Sequence, residues 1–260
     1  MKERVDMEKT IKMVLTAGEL KTSKIPINSS VVIYDVLRAS STITAALAHG
    51  ARSIIPVLTS EEAFLLYHRL KSTGLPVLLG GERQGEKITG FHLGNSPLEY
   101  TNQAIFDHII IFTTTNGTKA MVHSKEAGAK KILIASLLNQ SAIVSHLMRE
   151  AAFTIICAGV KNEFAFEDFY AAGLMLHELL NSTKGSSWQL DDSALTALNI
   201  ARHFHLDSVI IREGTNGRRL IAKEKISDVQ FCSDTNRYPI LPLFVKDQIL
   251  LHPTAQLASN

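Results

Sequence analysis

Short β-branched runs alternate with longer stretches of helical spacing along most of the chain, the pattern of an α/β fold on a mainly parallel sheet. The clearest unit covers residues 30–50. Val31, Val32 and Ile33 form an unbroken apolar run, which predicts a strand buried on both faces. Asp35 and Arg38 follow, and a helix carrying Ile43, Ala46 and Leu47 closes near Gly50. Residues 53–58 predict a second strand and residues 60–72 a helix, with Ser60 and the acidic pair Glu61 and Glu62 at its start. A third strand over residues 76–79 ends on Gly80, Gly81, Glu82 and Arg83.

Residues 84–102 break this rhythm. They hold Gly85, Gly90, Gly94 and Pro97, and a loop-rich insertion of that length inside a compact domain points to function. Residues 108–112 then predict a strand running directly into Thr113-Thr114-Thr115-Asn116-Gly117-Thr118 and a helix. Further strands are expected at residues 131–135 and 154–157, with a helix over residues 140–150 between them. A helix over residues 164–180 carries Glu167 and Asp168 near its start. Residues 183–188 read as a polar linker. The remainder reads as mostly helical, apart from residues 208–211 and an apolar, proline-bearing tail at 238–245. The expected organisation is a partly frayed N-terminal segment (1–24), its first ten residues polar, and an α/β core (25–182) with the inserted loop 84–102. A C-terminal helical part and tail (183–260) completes the same or a closely packed subdomain.

Composition narrows the function classes. A formal net charge of +2 over 260 residues is too mild to imply nucleic acid or a membrane surface as partner. Any preference for anions must then come from local placement of Arg, Lys and backbone N–H groups. Cys157 and Cys232 stand far apart, which excludes a four-thiolate zinc site and a disulfide scaffold and fits a reducing cytoplasm. The charged start of the chain is not expected to be a signal peptide, and no run approaches the roughly 18 apolar residues of a spanning helix. The apolar tail leaves room for a homodimer.

Polar residues collect where predicted strands end: Asp35 with Arg38, Glu82 with Arg83, the 113–118 run, and Glu167 with Asp168. Ligands of open α/β sheets bind outside the carboxyl ends of strands, so parallel strands would bring these clusters to one rim. Ser40-Ser41-Thr42 and Thr115-Asn116-Gly117-Thr118 each lie between a strand and a helix, where free N–H groups and the helix dipole favour an anion. Ordinary N-capping accounts for either cluster taken alone. The acidic clusters among them make a hard, oxygen-liganded metal site, and Mg2+ prefers one or two carboxylates plus phosphate oxygens and water. Cys157 reads as a small buried side chain, His203 and His205 as surface residues. No HExxH, GxxxxGK[ST], GxSxG or DxD motif is present.

Taken in order, these segments resemble the 2-phosphosulfolactate phosphatase (ComB) family. The resemblance lies in VVIYDVLRASSTITAALAHGA (31–51), LGGERQGEKITGFHLGNSPLEY (79–100), TTTNGTKA (113–120) and IICAGVKNEFAFEDFYAAG (155–173), with a weaker echo in EGTNGRRL (213–220). It implies a three-layer α/β/α fold with a mainly parallel or mixed sheet, and Mg2+-dependent hydrolysis of 2-phospho-3-sulfolactate to 3-sulfolactate and phosphate. In methane-forming archaea that step belongs to coenzyme M biosynthesis. Gln84, Thr89 and His92 depart from the family pattern inside the insertion, which keeps another small 2-phospho-hydroxy acid, such as phospholactate or phosphoglycolate, as the alternative substrate. A non-catalytic anion-binding module is the remaining alternative.

On this reading Asp35 and Glu82 hold Mg2+, with Glu167 or Asp168 completing its shell. Arg38 and the amides of residues 115–118 hold the phosphate, with Ser40, Ser41 and Thr42 beside it. Arg83, Asn95 and Arg218 engage the carboxylate and sulfonate. Either Asp35 or a water molecule attacks phosphorus.

Overall fold

In the computed structural model, which describes residues 9–21, 25, 29–183 and 187–252, helices cover both faces of one mixed sheet. Its strands are β1 (Lys9–Val14), β2 (Ser30–Tyr34), β3 (Ser53–Pro56), β4 (Val77–Arg83), β5 (Glu86–Lys87) and β6 (Ile109–Thr113). They continue with β7 (Lys131–Ala135), β8 (Ala152–Cys157), β9 (Trp188–Leu190), β10 (Pro242–Val245) and β11 (Gln248–Leu251). The helices are α1 (Ala39–Ala48), α2 (Ser60–Lys71), α3 (Asn102–Ile105), α4 (Gly117–Glu126), α5 (Gln140–Leu147), α6 (Phe166–Ser182), α7 (Asp192–His203), α8 (Thr215–Ala222) and α9 (Ile226–Ser233).

The alternation of side chains along β2 sets the layers. All of β2 is buried; Val31 and Ile33 pack with Ile43 and Leu47 of α1 and Met121 of α4. Val32 and Tyr34, pointing the other way, pack with Ile143 of α5 and Tyr170 and Met175 of α6. Farther along the sheet, Ala63 and Tyr67 of α2 cover Val77, Leu79 and Ile111. This is a three-layer α/β/α fold with a mixed sheet. The cap of α2 is Thr59 rather than Ser60. Thr59 Oγ1 accepts from the Glu62 amide at 3.1 Å, and Glu62 Oε2 accepts from the Thr59 amide at 3.3 Å.

The strand order is β5-β4-β6-β3-β11-β10-β7-β2-β8-β1-β9. Two parallel blocks, β4-β6-β3 and β7-β2-β8-β1-β9, flank the β10–β11 hairpin. The hairpin pairs antiparallel with β3 through Ile249 and Ile54, and with β7 through Leu243 and Leu133. Three successive antiparallel pairings reverse strand sense, so the two blocks run in opposite directions. The single parallel rim expected from the sequence is therefore not what gathers the polar clusters.

Three stretches depart from the sequence reading. Lys9–Val14, placed in the frayed segment, pairs as β1 between β8 and β9, with Ile11, Met13 and Val14 buried; residues 1–8 lie outside the described residues. Ser208–Glu213 is a 3₁₀ turn, started by Asp207, whose carboxylate accepts from the Val209 amide at 2.9 Å. The apolar tail supplies β10, and Leu241 and Phe244 are buried within this chain rather than left as a surface. Of the expected linker, residues 184–186 lie outside the described residues, and Trp188 already belongs to β9. Leu220, Val229 and Cys232 of the C-terminal part share one core cluster with β2 and α6.

Candidate active site

Asp35 directly follows β2 and sits over the first turn of α1. Its Oδ1 accepts from the Ala39 amide at 3.3 Å, and its backbone carbonyl accepts from the Ser40 amide at 2.8 Å. Its Oδ2 faces α4, where a Cβ at position 117 would stand 2.7 Å from it and 2.8 Å from Ala39 Cβ. Glycine at 117 thus lets the first turns of α1 and α4 meet at this carboxylate. That meeting, not a shared strand direction, brings the two blocks' polar loops together.

Gly81 does the same for β4. Its φ is +137°, and a Cβ there would lie 2.0 Å from the Thr113 carbonyl oxygen. The close approach sets Glu82 beside the loop after β6. Glu82 Oε1 accepts from the Thr115 amide at 2.8 Å and Oε2 from the Gly85 amide at 2.6 Å. Arg83 turns the other way, donating to Leu58 O at 2.9 Å and Thr113 Oγ1 at 2.8 Å. It does not line the cavity described next.

Asp35, Arg38, Glu82, Asn95, Thr115 and Asn116 line one cavity of about 260 Å³. Arg38 is almost fully buried, ion-paired with Asp228 of α9, and donates to Gly85 O at 3.2 Å. Asn95 Oδ1 and Thr115 Oγ1 are buried with no hydrogen-bond partner among the described residues, so both are available to a ligand. Three further cations line the cavity: Lys161, Arg219 and Lys223. The sequence reading missed all three, although Lys161 and Arg219 fall inside the segments that carry the family resemblance.

Ser40, Ser41, Thr42 and Thr118 hold loops instead of facing the cavity. Ser40 Oγ accepts from the Asp35 amide at 3.2 Å, while Ser41 and Thr42 donate to Val36 O and Asn95 O at 2.8 and 3.0 Å. Thr118 Oγ1 donates to Thr114 O at 3.0 Å. Asp168 is likewise tied down, accepting from the Val36 amide at 2.8 Å and the Gly159 amide at 3.2 Å. Glu167, also buried, lines an adjoining cavity of about 470 Å³ that shares Val160, Asn216 and Arg219 with the first. Its Oε2 lacks a hydrogen-bond partner among the described residues. Arg218 lines only this second cavity, with Nη1 on Glu213 O.

The carboxylates strain against one another. Burial, then the charges of Glu82 and Glu167, push Asp35 up to about 7 despite the Ala39 amide and Arg38. Burial also raises Glu167, opposed by its own amide, Asn216 and Arg219. Asp168 is raised well above the usual range by burial, then by Asp35 and Glu167. A cation would relieve this surplus of negative charge. Among the described residues no three His, Cys, Asp or Glu side chains are grouped to hold a metal unaided. Asp35 and Glu82, both lining the cavity, are hard oxygen donors of the kind a divalent cation such as Mg2+ takes one or two of. Cys157 and Cys232 are free and buried, and burial pushes both thiols up, Cys232 to about 12.

The fold and the site define an α/β protein with a small, cation-lined cavity built around carboxylates and strand-to-helix turns. Its relatives sharpen that class. A sequence profile described as 2-phosphosulpholactate phosphatase matches residues 14–247. The chain is 37% identical over 222 residues to a "Probable 2-phosphosulfolactate phosphatase" of Symbiobacterium thermophilum, covering 85% of this chain and 93% of that one. Proteins of the same printed name from Clostridium acetobutylicum and Thermotoga maritima are 32% and 35% identical, covering 92% and 85% of this chain and 99% and 91% of theirs. The chain belongs to the 2-phosphosulfolactate phosphatase family.

Proposed function

We propose that the chain is a phosphoric monoester hydrolase acting on 2-phospho-3-sulfolactate to give 3-sulfolactate and phosphate, with Mg2+ as its cofactor. One observation carries the reading: Asp35, Glu82, Arg38 and the Thr114–Asn116 turn line a single cavity of about 260 Å³, the size for one small ester. The relatives' printed name supplies the substrate. Mg2+, when bound by Asp35 and Glu82, supplies neutralisation of phosphate charge. The chain's own groups do the rest. Arg38 and the unpartnered Thr115 hydroxyl orient the phosphate, the Thr115 amide being taken by Glu82, and the burial of Asp35 and Arg38 strengthens their fields. Net turnover adds water across the ester: an oxygen joins phosphorus, the bond to the substrate's hydroxyl oxygen breaks, and that oxygen leaves with a proton. A cytoplasmic setting suits two free, buried cysteines, and among the described residues no helix is long and apolar enough to cross a membrane.

A second reading concerns the substrate alone. Gln84 lines the cavity, whereas His92 instead accepts from the Leu79 amide at 3.0 Å and lies tilted against the Tyr67 ring. One of the departures from the family pattern therefore faces the ligand, which favours testing other 2-phospho-hydroxy acids. Phosphate release from 2-phospho-3-sulfolactate, phospholactate and phosphoglycolate, ranked by kcat/KM with and without EDTA, separates the readings. Preference for phospholactate overturns the substrate and keeps the reaction. EDTA-insensitive turnover overturns the cofactor, and no release from any ester leaves an anion-binding module. Acid quench during turnover traps a phosphoaspartate if Asp35 attacks, while heavy oxygen from labelled water enters phosphate directly if water does.

A further inference from the structure

We propose that Arg219, aimed by Asn216 and joined by Lys161, holds the acidic groups that the substrate carries beyond its phosphate; this rests on the cavity being a phosphatase site. Four cations line that cavity, and two of them are already matched. Arg38 is ion-paired with Asp228, and Lys223 pairs with Glu86 at 2.8 Å. Arg219 and Lys161 form no ion pair among the described residues. Arg219 acts on buried Glu167 only through space, so neither cation is matched by a paired acid, and a phosphate ester bearing one carboxylate and one sulfonate offers two further negative groups.

The structure also fixes where these two cations stand. Arg219 Nη2 donates to Asn216 Oδ1 at 2.6 Å, and Asn216 Nδ2 donates to Leu37 O at 2.6 Å, in the loop that carries Arg38. Asn216 is buried, so it clamps Arg219 in register with the phosphate-binding loop. A guanidinium with one N–H engaged keeps four for a ligand, in the planar fork that matches carboxylates and tetrahedral anions. Lys161 is held from the other loop: its amide donates to Asn116 Oδ1 at 3.0 Å, beside Thr115. Of the candidates expected from the sequence for these groups, Asn95 lines this cavity and the two arginines do not. Arg83 is engaged outside the cavity, and Arg218 lines only the adjoining one.

The test is a specificity ratio. Wild type, Arg219→Gln and Lys161→Gln are compared by kcat/KM on 2-phospho-3-sulfolactate and on phospholactate, which lacks the sulfonate. Both positions are exposed, so the fold should tolerate the changes. The ratio favouring the sulfonated ester is expected to fall by about tenfold or more in Arg219→Gln, the scale of one charge-assisted contact, and to fall in Lys161→Gln as well. An equal loss on both esters and on ethyl phosphate, which has neither acidic group, overturns the proposal, because these groups would then act on the phosphate. Should wild type release no phosphate from either ester, the function reading fails by itself. Calorimetry then decides the inference: wild type should bind 3-sulfolactate more tightly than lactate, and Arg219→Gln should erase the difference. Equal binding of the two by wild type overturns it.

Discussion

Arg38 and Asp228 form a buried ion pair between residues 190 positions apart in the chain. Asp228 also accepts from Ser96 Oγ, and Arg38 from its side reaches Gly85 O. One pair therefore ties α9, the 84–96 loop and the turn after β2 into a single frame around the cavity. Lys225, on the same edge, adds a bond to Gly85 O at 2.7 Å. The C-terminal helices are part of the site's construction, not an appendage to the core.

Removing Asp228 strands a guanidinium away from water. Asp228→Ala is expected to cost about 3–5 kcal/mol, because a buried charge loses its partner. Replacing both members, Arg38→Met with Asp228→Leu, should recover most of that stability while leaving no turnover. Urea midpoints of the two variants check the order. If the double variant is no more stable than Asp228→Ala, the pair is not an isolated charge balance.

The proton on Asp35 gives the metal-free protein a definite pH dependence. Its pKa of about 7 lies above the ordinary 3.8, so the folded state keeps a proton that the unfolded chain releases. The stability from that proton is fully present below the unfolded value and is lost as pH rises through about 7. Glu167 and Asp168, also raised, act in the same direction. In EDTA the urea midpoint should fall as pH climbs from about 5 to about 8. Excess Mg2+ should flatten that fall, since the cation replaces the proton. Asp35→Asn should flatten it too, with turnover abolished and the fold intact. A midpoint that rises with pH in EDTA would contradict the assignment.

Gly117 offers a steric test of how the site is assembled. A methyl group there meets Asp35 Oδ2 and Ala39 Cβ at 2.7 and 2.8 Å. Gly117→Ala should cost about 1–3 kcal/mol as an overpacking defect. Its kcat should fall by more than its stability explains, because Asp35 itself must move. Kinetics at a temperature where circular dichroism shows full folding separate the two effects.

Local pattern revealed the strand–loop–helix units and the clusters around Asp35, Glu82 and Thr115, because those signals lie within a few residues. What escaped was mostly long-range. Asp228 is an ordinary helical acid until Arg38 reaches it, and Lys161, Arg219 and Lys223 become cavity cations only when separate segments meet. Two misplacements had a readable cause. Glu82 and Arg83 are consecutive in β4, so strand alternation sends them to opposite faces, and the acid alone enters the cavity. Arg218 and Arg219 are consecutive on α8, where a turn of roughly 100° separates neighbours. β1 was hidden because Lys9, Thr10 and Lys12 interrupt its apolar positions.

No local signal announces that the tail's strand and the one after it fill the middle of the sheet, yet the site depends on that insertion. Asp35 comes from the block containing β2, and Glu82 and Thr115 from the block containing β4 and β6; β10 and β11 join the two. Phe244 is buried between them among Ile54, Ile132 and Ile134. Phe244→Ala should cost about 3–5 kcal/mol, a large-to-small loss in a packed core, whereas Phe244→Leu should cost less than about 1.5 kcal/mol. Because the hairpin joins the blocks, activity in Phe244→Ala should decline along the same urea curve as the fluorescence of Trp188, which lies on the far edge strand. If Trp188 reported an intact β1-β9 edge after activity had gone, the two blocks would be separable units and the hairpin a covering rather than a joint.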